Sequence, residues 1–270
     1  MLGNERDSLQ SHLRACREMV HTAQQHPSNQ HYSAIYGVLF EAYAYFSIQT
    51  IFRYSASELD VQANLQSLDF YRSLTTYSTF GYLMQASYDL YALIPQVSLF
   101  SLRMQGMREV CTNQDLEATY RHLEAQILSQ KHYDVTGAVE ASNKVAKIYQ
   151  NGLLIILHAS YFCHPSEQST FMTILKPILS EAMSLFESIE KSFASAPAFW
   201  PMVIVGSCLS DQRDRSRLLE YLEYGSQSTG IQSRAREALQ WVWSRQGHSL
   251  IGPAGLERFS IERKTGLCIG

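Results

Sequence analysis

The run Leu153-Leu-Ile-Ile-Leu157 decides the fold class. Taken alone it has the composition of a strand, because branched and large apolar residues suit a pleated surface. Its flanks and the length of the run argue otherwise. The helical pattern extends from Gly137 to Phe162, far beyond the five or six residues of an ordinary strand. Val203-Ile-Val205 poses the same question and receives the same answer. With both stretches helical, little strand evidence remains. The chain reads as all-α: a single multi-helix bundle of roughly nine or ten helices. Residues 1–250 form the helical domain and 251–270 a polar C-terminal tail that frays.

Working outward, helical periodicity recurs. Leu9, Leu13, Cys16 and Val20 share one face, and Pro27 ends that helix. An apolar helix follows from about Ser33 to Arg53, carrying Tyr36, Tyr43, Tyr45 and Phe46, and Ser57 is a candidate cap beyond it. Pro95 interrupts the apolar run from Tyr82 to Met107, which predicts two helices or one kinked helix. Asn113 caps a helix to about Gln130, and Ser166 caps one through Phe193 that Pro177 bends. Trp200, preceding Pro201, is expected to be extended, with Pro201 opening a short helix over Met202 to Leu209. Asp211 caps the next helix, whose buried face carries Leu218, Tyr221 and Leu222. Gly225 and Gly230 bracket a loop, and Gly247 stops a helix built on Ile231, Ala235, Ala238, Leu239 and Val242. No repeat and no Gly/Ser- or Pro-rich linker divides the chain.

The 270 residues include 46% hydrophobic and only 17% charged side chains, enough to bury a large core. The net charge of −3 supplies no basic field for a phosphate backbone, so direct DNA binding by this chain is not expected. The five cysteines form no CxxC pair, which fits reduced thiols of an intracellular protein rather than a zinc site. No signal peptide opens the chain. The most apolar window, Ile35 to Phe52, contains Glu41, Ser47 and Gln49 and reads as a buried helix, not a membrane span.

Catalytic patterns of the HExxH, GxGxxG, P-loop and GxSxG types are absent, as is DDxxD, so no catalytic residue, metal or cofactor is assigned. Cys163 and His164 are adjacent, about 100° apart on a helix, and make no nucleophile–base pair. His158 and His164 have poor metal spacing, as do His21, His26 and His31. Arg213, Arg215 and Arg217 could grip an anion, but Asp211 and Asp214 at helical spacing favour internal pairing. Sixteen tyrosines leave a ligand cavity open as a second reading. Its candidate lining is Glu41, Tyr45, Tyr88, Asp89 and Tyr91, against the plainer reading of core and helix-edge residues.

One resemblance adds to this. Phe199-Trp-Pro-Met-Val-Ile-Val-Gly-Ser-Cys208, then Arg213 to Arg217, then Ala235-Arg-Glu-Ala-Leu-Gln-Trp-Val-Trp243, resembles the C-terminal part of the fungal-specific transcription factor domain. The pattern there is aromatic-Trp-Pro, an apolar stretch ending in Gly, an Arg, and a last helix ending near Val-Trp. It falls here on Trp200, Pro201, Gly206, Arg215 (or Arg213) and Trp243. His12 to Val20 looks like a family helix with a His-Leu-x-Gly-Ala signature, with Ala15 and Cys16 at the last two positions. Gly81 to Ile94 looks like its central helix, so the resemblance covers most of residues 10 to 246. In the family a basic six-cysteine segment holds two zinc ions and reads DNA. None is written in this chain. The resemblance implies a nuclear regulator-like domain acting through a protein partner, homodimerisation or a small hydrophobic effector. It also implies structural roles for the motif residues, with Trp200 and Trp243 packed together. The alternative is a small-molecule binder or enzyme of fungal metabolism on the same scaffold, with no reaction named.

Overall fold

A computed structural model describes residues 12, 15–20, 22–23, 33–49, 68–81, 88–106, 113–130, 139–162, 167–189, 198–224, 230–245 and 251–263. Helical residues 15–20 and 22–23 come first, followed by ten α-helices and one 3-10 turn, with no strand among the described residues. The helices are α1 (Ser33–Gln49), α2 (Leu68–Ser73), α3 (Tyr88–Gly106), α4 (Asn113–Ser129) and α5 (Val139–Tyr161). Then come α6 (Gln168–Ser188), α7 (Phe199–Cys208), α8 (Gln212–Tyr224), α9 (Gly230–Ser244) and α10 (Pro253–Arg263). The fold is all-α, as expected.

Helix α5 is the axis. Residues 148–158 are buried without a break, so every face of three turns is covered. Its neighbours are α3, α4, α6, α7 and α10. The stretch that looked strand-like is therefore apolar all round because it is a central helix. Polar side chains on α5 fix its neighbours in register. Gln150 Nε2 donates to the carbonyl of Ile127 in the last turn of α4, where carbonyls lack intrahelical partners. Lys147 Nζ holds the other end of that amide at 2.7 Å.

Both internal prolines sit within single helices, Pro95 in α3 and Pro177 in α6. One turn around Pro95 is reinforced by Gln96, whose Nε2 donates to Ala92 O at 3.1 Å. The start of α7 differs from expectation. It begins at Phe199, with Met202 N bonding Ala198 O at 3.0 Å, and Trp200 is helical rather than extended. Pro201 lies in the first turn, where its missing N–H would have had no intrahelical acceptor. Burial decides the conformation of Trp200: every residue of α7 is buried, and the indole is fully enclosed.

Two further segments add to the sequence reading. Leu68–Ser73 and the following 3-10 turn bury Tyr71 and Leu74, a short element with too few residues to show a period. The region taken as a polar tail carries α10, which buries Leu256 and Phe259. Trp241 meets Phe259 edge to face at 5.7 Å, and Arg245 lies over Trp241 at 4.3 Å while pairing with Glu262 at 3.2 Å. Two apolar residues at i and i+3 suffice to dock this helix, although the segment is polar on average. The readings at Ser57, Ser166, Gly225 and Gly247, and the stretches 50–53, 82–87 and 264–270, lie outside the described residues.

Gly252 makes the turn into α10. Its φ is +77°, and its N–H donates to Ser207 O at 3.0 Å. A Cβ there would stand 3.0 Å from Cys208 Sγ. Gly252→Ala is expected to lower stability by about 1–2 kcal/mol, from the left-handed backbone alone. Urea denaturation of the two proteins measures this.

Candidate functional site

Four helices bring aromatic and polar groups together beside α5. Tyr149 of α5 stands at the centre. Its ring is 5.1 Å from that of Tyr91 on α3 and meets Trp200 of α7 edge to face, also at 5.1 Å. Tyr45 of α1 lies close enough to interact electrostatically with both Tyr149 and Tyr91, and Glu41, one turn earlier, acts on Tyr91. The Glu41 carboxylate is fully buried and accepts the N–H of Gly81 at 3.1 Å. Burial, ahead of the mutual influence of the phenols, pushes the pKa of Tyr45, Tyr91 and Tyr149 far up, so all three stay neutral.

The hydroxyls of Tyr91 and Tyr149 feel one another, yet neither reaches hydrogen-bonding geometry with a partner. Ser98 Oγ on α3 and Asn151 Nδ2 on α5 are likewise buried without one. Unsatisfied groups in a core are uncommon. Of the residues singled out from sequence, Glu41, Tyr45 and Tyr91 converge here. Asp89 is exposed on α3 and stands apart from them, and the side chain of Tyr88 lies outside the described residues. Tyr149 and Trp200 complete the cluster. Spacing within α1 and α3 could not reveal them, because they come from helices distant in sequence.

A second constellation surrounds α7. Trp243 Nε1 of α9 donates to Gly206 O at 2.9 Å, and the Leu209 N–H reaches the same carbonyl at 3.2 Å. Gly206 has no side chain for a physical reason: a Cβ would collide with Leu218 and stand 3.1 Å from Leu239. That lets α8 and α9 close directly on α7. Arg215 Nε donates to Leu209 O at 3.0 Å, with its guanidinium carbon 5.4 Å from the centre of the Trp243 ring. Burial lowers the Arg215 pKa and Asp211 opposes the shift. Asp211 caps α8, accepting from Arg213 N at 2.8 Å and Asp214 N at 3.2 Å.

The three arginines therefore do different work. Arg215 holds the α7–α8 turn, Arg217 pairs with Glu187 at 2.6 Å, and the Arg213 side chain is exposed. The motif residues Trp200, Pro201, Gly206, Arg215 and Trp243 all serve to seat α7. The two indoles do so at opposite ends of it, Trp200 against Tyr149 and Trp243 at Gly206, in place of the expected joint packing. A family model described as the fungal specific transcription factor domain matches residues 2–253.

The chain belongs to that family. No curated protein and no solved structure matches it. Within this fungal transcription factor domain the described residues hold no group of His, Cys, Asp and Glu able to bind a metal. Nor is any helix there long and apolar enough to cross a membrane.

A third group in the domain has no sequence signature. His158 on α5 is buried, and its Nδ1 lies 3.0 Å from the Tyr120 hydroxyl of α4. Glu124, one turn from Tyr120, accepts from that hydroxyl at 3.3 Å and stands 3.9 Å from His158 Nε2. Tyr161 stacks on Tyr120 at 4.1 Å. Glu124 thus takes the phenolic proton, and the imidazole tautomer sets whether His158 Nδ1 donates to or accepts from the Tyr120 oxygen. Burial lowers the His158 pKa and Glu124 works against the shift. Cys208, sealed under α10, is a structural thiol with its pKa pushed up to about 12 by burial.

Two outcomes follow for this domain. Trp243→Phe removes the donor to Gly206 and should cost about 1 kcal/mol in chemical denaturation. Because the folded pKa of His158 is depressed, its effect on stability is absent above the unfolded value of about 6.5. Below it the unfolded chain protonates first, so stability falls as the pH falls. The thermal midpoint should therefore drop more steeply on acidification in the wild type than in His158→Gln.

Proposed function

We propose that this chain is the regulatory module of a transcription regulator and works in the nucleus through protein contacts. The carrying observation is the family match over residues 2–253, joined to the use of its signature residues as α7 supports rather than as reacting groups. Transcription regulation is the activity this family suggests. With three buried phenols held neutral and Cys208 sealed, the clusters described above offer structural chemistry more than catalysis. A net charge of −3 supports a protein partner over a nucleic acid as the direct contact.

A second reading concerns an effector. The unpaired hydroxyls of Tyr91 and Tyr149 favour a small, mainly apolar molecule bearing one hydrogen-bonding group, admitted where Glu41 and Tyr45 also converge. Such a molecule would stabilise the protein by binding only its folded form.

Fusion of the full chain to an unrelated DNA-binding domain at a reporter gene tests the main reading. Reporter output should change on recruitment, and the change should vanish with an unfolded variant. An inert but folded fusion sinks it. Native mass spectrometry of the purified chain tests the effector reading. A co-purifying small molecule should be lost from Tyr149→Phe, which removes one of the two hydroxyls.

A further inference from the structure

Helices α6 and α8 diverge and leave an open groove of about 860 Å³ between them. Along α6 it runs from Ser169 to Glu187, five turns or about 27 Å of helix. Its floor is Met172, Leu179 and Met183 of α6 with Leu209 from the turn before α8. Those α6 positions are seven and four residues apart, which keeps them on one helix face for a third helix to pack against. At one end the groove is closed by the Arg217–Glu187 pair at 2.6 Å. Leu209 apart, whose backbone belongs to the turn braced by Arg215, none of these residues takes part in seating α7 or in the tyrosine cluster.

The charges in the groove identify its occupant. Glu187 and Arg217 neutralise one another, and Asp211 is engaged as the α8 cap. That leaves Lys176, exposed at the middle of the α6 wall and in no ion pair with another described residue, and Asp214 on the α8 wall. We propose that this groove receives an amphipathic helix of a protein partner, with apolar anchors toward its methionines, a carboxylate facing Lys176 and a cation facing Asp214. The inference rests on the protein-contact reading above and names the surface it uses. Met172, half-buried in the floor, and Met183 beneath it are flexible side chains that adapt to partners of differing shape, within a lining that is otherwise mostly polar. A second copy of this chain is a poorer fit. Among the described residues Met19, Leu128 and Ile261 are exposed singly, and the one helix exposing several large apolar side chains, α1 with Ile35, Leu39 and Phe46, carries no exposed charge, since its single charged residue, Glu41, is buried. It would leave Lys176 and Asp214 unanswered.

Selection from a displayed library of amphipathic helices of about 18 residues, matched to the groove length, on the full chain tests this. Enriched sequences should carry an acidic residue near the middle of the apolar face. Their affinity, read by fluorescence anisotropy, should fall at least about tenfold in Ser180→Trp, which fills the groove from an exposed position. It should fall comparably in Lys176→Glu, and a peptide with that acidic residue changed to Lys should recover affinity for Lys176→Glu. Both substitutions are at exposed positions, and an unchanged thermal midpoint verifies the fold. Failure to enrich any helix, or binding indifferent to both substitutions, overturns the proposal. The reporter fusion separates the two levels: regulation that persists unchanged in Ser180→Trp removes the groove while leaving the protein-contact reading intact.

Discussion

Burial of α5 on every side is the constraint from which the architecture follows. A helix with eleven consecutive buried residues cannot lie at a surface, so it needs a full jacket of other helices. Each large apolar side chain enclosed there contributes about 1.5–3 kcal/mol. The helices around it have one inner side each, except α7. That helix is itself buried throughout, wedged between α5 and the C-terminal helices. Two nested helices of this kind give the domain a core with two layers of dependence: α5 organises α3, α4 and α6, and α7 carries α8, α9 and α10.

Apolar burial alone would leave those neighbours free to slide. Specific polar ties set their register. Gln150 and His158 on α5 fasten two different turns of α4, through the Ile127 carbonyl and the Tyr120 hydroxyl. At the other layer the Gly206 carbonyl gathers Trp243, while Ser207 O receives the N–H of Gly252 at the entry to α10. Each tie uses a backbone or side-chain group that would be costly to bury unpaired, so the register that satisfies it is favoured over its alternatives. The hydroxyls of Tyr91 and Tyr149, with Ser98 and Asn151, stand outside this pattern.

Helix positions were legible wherever apolar spacing ran for several turns. Leu218 and Leu222, or Ala235, Ala238, Leu239 and Val242, mark their buried faces from sequence alone. The Asp211 cap was equally plain, because a short acidic side chain before a helical run has one efficient use. Element boundaries governed by competing terms were less so. Trp200 is pulled toward extended backbone by the proline after it and toward helix by enclosure, and only the enclosure is tertiary. The short Leu68–Ser73 helix and α10 were hidden because two or three anchoring residues in a polar context leave no period to detect. Of the pocket candidates read from sequence, Glu41, Tyr45 and Tyr91 lie near one another and Asp89 does not, whereas Tyr149 and Trp200 require knowledge of which helices meet.

The sequence by itself determined that the chain is all-α, because its apolar residues recur at helical spacing, and that it carries the Trp-Pro, Gly, Arg and Trp signature of its family. Those are properties of residues near one another along the chain. Tertiary structure alone decided what the signature does: Trp200 and Trp243 hold opposite ends of one helix, and Arg215 rather than Arg213 braces the turn beneath it. It also decided that buried His158 and Tyr120 meet half-buried Glu124 in one group and that α6 and α8 part to leave a groove. These outcomes depend on how helices far apart in sequence are brought together, and that depends on the pairing of complementary surfaces, which no local pattern records.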